Sequence, residues 1–244
     1  MIFNPGKENA VVLLSGGLDS TTALALAVER FKHVTALSVN YGQRHARELK
    51  SAADVAKYYH VPHEVLDLTN VGKLFNNRGS MSSLLNGAPV PEGHYAEDNM
   101  KQTIVPNRNM ILLSIAAGLV VAKGGGVVGV AAHAGDHFIY PDCRPEFLEQ
   151  ANLALQAGND EAVSLWTPFM NDSKADIVKV GRSLGVPYHL TWSCYKGGEK
   201  HCGRCGTCVE RIEAFILAGV DDPTEYEEGG LDYAISLLEA KGVI

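Results

Sequence analysis

The sequence predicts an α/β fold built on a doubly wound parallel sheet, with a cysteine-rich helical region at its C-terminal end. Three observations carry this expectation. Short apolar runs bounded by turns alternate with amphipathic stretches, the rhythm of successive βα units with right-handed crossovers. The first apolar run passes through Ser15-Gly16-Gly17-Leu18-Asp19-Ser20 into a helical stretch, so strand, tight turn and helix stand in that order. Four of the five cysteines crowd between 194 and 208, in the pattern C-x7-C-x2-C-x2-C. At 244 residues, 46% of them hydrophobic and 20% charged, the chain is long enough to bury such a core, and it divides into residues 1–190 for the α/β part and 191–244 for the C-terminal region.

Ala10 to Leu14 reads as a strand buried on both faces of a parallel sheet. In the turn that follows, Gly16 and Gly17 let successive N–H groups point into one concavity, and the helix Ser20 to Phe31 adds the positive end of its dipole. That concavity suits a pyrophosphate. Ser15, Ser20, Thr21 and Thr22 supply hydroxyl donors, while Asp19, which would repel bare phosphate, makes sense as a holder of the accompanying Mg2+. An ordinary turn with an Asp cap is the plain alternative. Val34 to Val39 forms a second strand ending at Asn40-Tyr41-Gly42, and helical periodicity then runs from His45 to Tyr59 and stops at Val61-Pro62. Glu64 to Leu68 is a third strand. Ligands of such sheets sit outside the carboxyl ends of the strands, where the glycine turn lies.

Residues 69–103 are polar and rich in Gly, Asn, Ser and Pro, which reads as a long irregular excursion serving as a lid or a flexible insert. A strongly apolar helix follows from Met110 to Lys123, with Asn107 as its cap and Arg108 set to meet an anion at the helix start; a solvated loop arginine is the alternative. Gly124-Gly125-Gly126-Val127-Val128-Gly129 matches a dinucleotide pattern, but it follows a helix and enters a strand. The order is reversed, so these glycines end one helix and feed the strand Val127 to Ala132. The stretch from Tyr140 to Phe147 places an aromatic ring, a carboxylate, an arginine and two prolines at a strand's carboxyl end, where rigid mixed loops contact substrates. The helix Pro145 to Ala157, the strand Ser164 to Phe169 and the helix Lys174 to Leu184 complete the α/β part. Lys174 in a first helical turn opposes the dipole; a nucleotide phosphate or plain exposure to solvent would each explain it.

Four thiolates from Cys194, Cys202, Cys205 and Cys208 complete a tetrahedron around Zn2+ with no position left for water, so a structural zinc supporting the helix Val209 to Ala218 is expected. An iron–sulfur cluster and unligated buried thiols compete with it, and His201 is a further possible ligand. Cys143 stands apart from the cluster. Cysteines crowded in this way point to a metal in a reducing compartment rather than to a disulfide framework. No stretch is apolar for long enough to span a bilayer and residues 1–8 show no export pattern, which makes the cytoplasm the expected location. The formal net charge of −7 argues against a large nucleic-acid footprint.

The combination resembles a known family. Ser15-Gly16-Gly17-Leu18-Asp19-Ser20 is similar to the PP-loop of the N-type ATP pyrophosphatases, which split ATP between the α and β phosphates and adenylate an acceptor oxygen. Within that class, Tyr41-Gly42-Gln43-Arg44-His45, Val105-Pro106-Asn107-Arg108-Asn109, the block from Tyr140 to Phe147 and the four cysteines resemble the 7-cyano-7-deazaguanine synthase family of queuosine biosynthesis, from about Ala10 to Ala218. The resemblance implies an adenine nucleotide alpha-hydrolase-like, Rossmann-like sheet. It implies a ligase that converts 7-carboxy-7-deazaguanine, ammonia and ATP to the 7-cyano compound through adenylated intermediates. It implies ATP binding by Leu14, Ser15, Gly16, Gly17, Leu18, Asp19, Ser20, Thr21, Thr22, Ala23, Leu24, Ser38 and Val39, and catalytic roles for Asp19, Arg108 and Lys174. Gln43, Arg44, Asp142, Arg144 and Glu146 are then expected on the deazaguanine, Mg2+ with the ATP, and one structural zinc on the four cysteines. The resemblance also implies a homodimer, to which the apolar helix Leu231 to Leu238 points as well. Two other classes share parts of the pattern: a PP-loop enzyme that thiolates tRNA, and a zinc-stabilised ATP-binding protein without turnover.

Overall fold

A computed structural model describes residues 8–42, 46–76, 82–86 and 88–244. Five parallel strands form one sheet: β1 (Asn9–Leu13), β2 (His33–Asn40), β3 (His63–Asp67), β4 (Gly126–Gly129) and β5 (Val163–Trp166), in the spatial order β3-β2-β1-β4-β5. The chain winds outward from β1 to β3 and then returns to place β4 on the other side of β1, so the order reverses between β1 and β4. Register is set there by Val11 against Thr35 on one side and Val128 on the other.

Alternation along the strands feeds two cores. Ala10, Val12, Leu14, Ala36, Val127 and Trp166 face one side, against α1 (Leu18–Arg30), α2 (Ala46–Tyr58) and α7 (Lys174–Ser183). Val11, Leu37, Val39, Val128, Val163 and Leu165 face the other, against α5 (Arg108–Ala122) and α6 (Pro145–Ala157). A sheet buried on both faces in this way is what near-continuous apolar strands require. α8 (Gly206–Ala218) inserts Ala214 and Phe215 into the first core, and α9 (Gly230–Ala240) packs Ala234 and Leu238 on Val209 and Ile212 of α8. None of the helices among the described residues is long and apolar enough to cross a membrane.

The expected elements are present within a residue or two at most ends, and three local departures have physical causes. The excursion 69–103 is not wholly irregular: it holds the helices α3 (Thr69–Asn76) and α4 (Ser83–Asn86) and a 3-10 turn over Asp98–Thr103. Gly72 lies inside α3 because a side chain there would collide with the Tyr41 carbonyl, and this glycine obscures the helical pattern. Asn107 does not cap α5 with its side chain, because it adopts a left-handed conformation at φ +55°. Asp142 takes the role instead, its Oδ2 accepting the Asn109 N–H at 3.0 Å. Ser173, by contrast, opens α7 with a reciprocal capping box, exchanging hydrogen bonds of 3.2 Å with Asp176.

Candidate active site

The glycine turn leaves the carboxyl end of β1, beside that of β4, at the point where strand order reverses. Gly16 has φ +85°, and a Cβ there would lie 2.5 Å from the Glu48 carbonyl oxygen and 2.6 Å from the Ala52 nitrogen. The first turns of α2 therefore seat directly on the loop. Within the loop the Ser20 hydroxyl accepts the Ser15 N–H at 3.2 Å, the two hydroxyls lie 2.9 Å apart, and Ser15 Oγ accepts the Gly17 N–H at 3.2 Å. Leu14, Ser15, Gly17, Leu18, Asp19 and Ser20 line a cleft of about 290 Å3, and Val39 contributes to its wall. Gly16 shapes the turn from behind. Thr21, Thr22, Ala23 and Leu24 are buried in α1, with Thr22 Oγ1 donating to the Leu18 carbonyl at 2.9 Å. Ser38 is also buried; its hydroxyl donates to the Leu14 carbonyl at 2.6 Å and lies 2.8 Å from His63 Nε2.

Beside the loop, four elements bring charges together. Lys174 Nζ lies 3.3 Å from Asp19 Oδ2 and is hydrogen-bonded to Glu210 of α8. Burial works against the Lys174 charge, but Asp19, Glu210 and Asp136 more than offset it, and its pKa is raised above the ordinary lysine value. The dipole conflict seen in the sequence is thus relieved by the protein's own carboxylates, with the side chain only 13% exposed. His133, 1% exposed, follows β4. Its Nδ1 accepts the Gly135 N–H at 3.1 Å, so in the neutral ring Nε2 carries the proton. That Nε2 faces Asp136 at 3.7 Å, Glu210 at 3.8 Å and Asp19 at 4.0 Å, and makes no hydrogen bond among the described residues. Asp19 Oδ1 is likewise buried without a partner among them. Three carboxylates against one ammonium, with two buried polar atoms unused, fit a bound cation and its water shell.

The other end of the cleft is a cation in an aromatic wall. Arg108, the first residue of α5, stands 5.5 Å from the Tyr140 ring centroid and donates a hydrogen bond to the Tyr41 hydroxyl. Tyr140 is fixed by a 2.8 Å hydrogen bond to Thr103, and its hydroxyl lies 3.4 Å from that of Tyr195. Glu48 lies on the same wall, where burial lifts its carboxyl to about 7 against the opposing pull of Arg108. Burial also pushes the Cys143 thiol far up, and Asn109 Nδ2 donates to its Sγ at 3.2 Å, so this cysteine is not a ready nucleophile.

Cys194, Cys202, Cys205 and Cys208 are wholly buried, their sulfur atoms all within 4.8 Å of one another, and they form a group that can hold a metal ion. The Lys196 and Cys202 N–H groups point at Cys194 Sγ at 3.4 Å, and the Arg204 and Cys205 N–H groups at Cys202 Sγ at 3.3 Å. His201 is turned elsewhere: its Nε2 accepts the Ser193 N–H at 3.0 Å, and burial lowers its pKa to about 4. Trp192, just ahead of Cys194, donates its backbone N–H to the Gly16 carbonyl at 2.9 Å, so the cysteine loop braces the glycine turn. Glu92 and Gly93 lie over the same loop, with Gly93 N–H on the Arg204 carbonyl at 3.0 Å and Glu92 paired with Lys196.

Of the residues expected on the substrate, Gln43 and Arg44 lie outside the described residues. Asp142 is engaged as the cap of α5, Arg144 is exposed with its Nε donating to the His137 carbonyl at 2.9 Å, and Glu146 is exposed in the first turn of α6. None of these three lines the cleft. His133, Asp136, Glu210 and Glu48 do not stand out in the sequence. The available signal for the first two is their position just after a strand at the reversal point; Glu48 and Glu210 look like ordinary helix-surface acids.

The fold and loop define an α/β protein of the PP-loop class. The NMN synthetase of Francisella tularensis shares the fold, with a TM-score of 0.52 and 14% identity, covering 97% of this chain and 86% of that one. The family model described as "Queuosine biosynthesis protein QueC" matches residues 9–219. A 7-cyano-7-deazaguanine synthase of Marinobacter nauticus is 52% identical over 90% of this chain and 98% of its own length. The 7-cyano-7-deazaguanine synthase 1 of Mesorhizobium japonicum is 50% identical over 90% and 94%. The chain belongs to the 7-cyano-7-deazaguanine synthase family, a family of enzymes.

Proposed function

We propose that this protein is an ATP-dependent ligase that converts 7-carboxy-7-deazaguanine and ammonia to 7-cyano-7-deazaguanine in queuosine biosynthesis. The observation that carries the reading is one continuous cleft with a phosphate-type loop and the Asp19–Lys174 cluster at one end and Arg108 among tyrosines at the other.

A carboxylate is inert to ammonia until one oxygen becomes a leaving group. In this reading the substrate carboxylate attacks the α-phosphorus in line and pyrophosphate departs into the loop amides and the Ser15 and Ser20 hydroxyls. Ammonia adds to the acyl adenylate, loses a proton and expels AMP, leaving the amide. A second ATP adenylates the amide oxygen, releasing pyrophosphate and one proton from nitrogen, and loss of AMP with the remaining N–H proton forms the nitrile. Lys174 and Arg108 stabilise charge on the phosphates and on the reacting carboxyl, and the work of the site is chiefly positioning and charge compensation.

Mg2+ suits the residues around Asp19, with Asp136 and Glu210 as the neighbouring carboxylates, and when bound would neutralise triphosphate charge. Zinc suits the four thiols: four sulfurs at tetrahedral Zn–S distances stand about 3.8 Å apart, and the Cys202 and Cys208 sulfurs are 3.9 Å apart. That zinc would be structural, tying residues 191–244 to the nucleotide-binding part at 1–190. A homodimer acting in the cytoplasm on small molecules, without nucleic acid, completes the proposal.

ATP–pyrophosphate exchange tests it. Exchange that depends on the deazapurine acid supports the reading. Exchange that needs tRNA instead favours a thiolation enzyme, and ATP binding without AMP release under any condition favours a sensor.

A further inference from the structure

Four carboxylates line the cleft among the described residues: Asp19, Glu48, Asp136 and Glu210. Three of them gather around Lys174 and His133 at the phosphate end. Glu48 stands apart on the first turn of α2, and no described residue donates a hydrogen bond to its carboxylate. Its electrostatic neighbour on the wall is Arg108. The cations of the wall differ in how they are held. Lys174 is paired with Asp19 and Glu210, and Arg211 with Asp222 at 2.9 Å, whereas Arg108 stands over the Tyr140 ring and makes no salt bridge among the described residues.

The 2-amino-4-oxopyrimidine edge of a guanine-type base presents an oxygen acceptor followed by two N–H donors. Two adjacent N–H donors call for a carboxylate, whose paired oxygens give charge-assisted bonds to both. The oxygen acceptor and the neighbouring 7-carboxylate lie on one side of the ring system and call for a guanidinium. Arg108 and Glu48 line the same cleft and together supply that donor–acceptor order, and Tyr41, Tyr140 and Tyr195, which line it too, offer π surfaces for the bicyclic ring. The backbone of Glu48 also abuts Gly16 of the loop.

We propose that Glu48 is the specificity-determining carboxylate for the base, accepting both N–H groups of its 2-aminopyrimidinone edge in the cleft that Arg108 also lines. This rests on the synthase reading above. The test compares 7-carboxy-7-deazaguanine with its analogue lacking the 2-amino group, 7-carboxy-7-deazahypoxanthine, in wild-type protein and in Glu48→Gln, following AMP release. Wild-type protein prefers the amino base by about 100-fold in kcat/KM, the scale of one hydrogen bond to a charged group. In Glu48→Gln the preference falls below about 5-fold through a rise in KM for the amino base, while the KM for ATP stays within about 2-fold. Glu48→Asp, which keeps the charge but withdraws it by one methylene, retains the preference with a raised KM, and serves where Glu48→Gln does not fold. A Glu48→Gln protein that discriminates as wild type does, or that loses ATP and base affinity equally, overturns the proposal alone. Wild-type protein that releases AMP with neither base overturns the synthase reading and this proposal with it.

Discussion

Gly16→Ala isolates the loop's backbone geometry from its chemistry. The residue sits at φ +85°, where an L-side chain costs about 1–2 kcal/mol. The new methyl would also lie 2.5 Å from the Glu48 carbonyl oxygen and 2.6 Å from the Ala52 nitrogen, both backbone atoms of a packed helix that cannot rotate away. Relief requires loop and helix to separate by roughly 0.7 Å, and forced shifts of packed backbone add about 1–3 kcal/mol. The sum is about 2–5 kcal/mol, which for a chain of this size lowers Tm by roughly 5–15 °C. The same displacement moves the loop amides, and a misplacement approaching 1 Å costs on the order of 100-fold in rate. Gly118→Ala is the matched control: it lies on the exposed face of α5 with no atom within 4 Å of the position its methyl would take, and should gain about 1 kcal/mol from helix propensity. Thermal unfolding and ATP–pyrophosphate exchange read both variants. A Gly16→Ala protein with wild-type Tm and wild-type exchange would refute the close-approach argument.

Asp19→Ala should remove at least about 100-fold of turnover with a Tm change of only a few degrees, since Lys174 keeps Glu210 as a partner; loss of native circular dichroism would contradict that separation of roles. Cys205→Ser should lower the metal content per chain, measured by elemental analysis, and reduce Tm, because binding energy at a four-thiolate site is folding energy. Unchanged metal content would rule out this cysteine as a ligand. Lys174→Met leaves Asp19 and Glu210 without their ammonium, so it should destabilise by about 3–5 kcal/mol, and millimolar Mg2+ should restore part of the loss. Equal Tm with and without Mg2+ would argue against a cation site at this cluster.

What is legible in the sequence is local in the chain. The glycine turn and the cysteine knuckles each draw on one short stretch, and β1, β2, β4 and β5 show their burial in their own composition. Arg108 and Lys174 stand out because a cation in the first turn of a helix conflicts with the dipole, a contradiction visible without coordinates. Glu48 and Glu210 give no such signal: an acid near the start of α2 agrees with the dipole, and one in α8 reads as solvent-facing. Their significance arises only when α2 docks on Gly16 and α8 docks on α7. The helix α3 is obscured for the opposite reason, because Gly72 answers a tertiary contact with Tyr41 and not a local turn.

Asp142 shows how a structural requirement can imitate a binding residue. It lies in a rigid loop beside an arginine and an aromatic ring, the company that substrate ligands keep. Yet Asn107, left-handed at φ +55°, does not present its side chain to the first turn of α5, so a helix start beside the cleft would be left with an unsatisfied N–H. Asp142 supplies that acceptor from the loop after β4, and Asn109 answers by donating its side-chain amide to the Asp142 carbonyl at 2.9 Å and to Cys143 Sγ at 3.2 Å. These three bonds lock the turn Pro141–Cys143 against α5, and with it the Tyr140 ring that faces Arg108. The carboxylate thus serves the site through the tyrosine and arginine it aligns, which is why a loop so rich in polar residues can shape the cleft while few of them enter it.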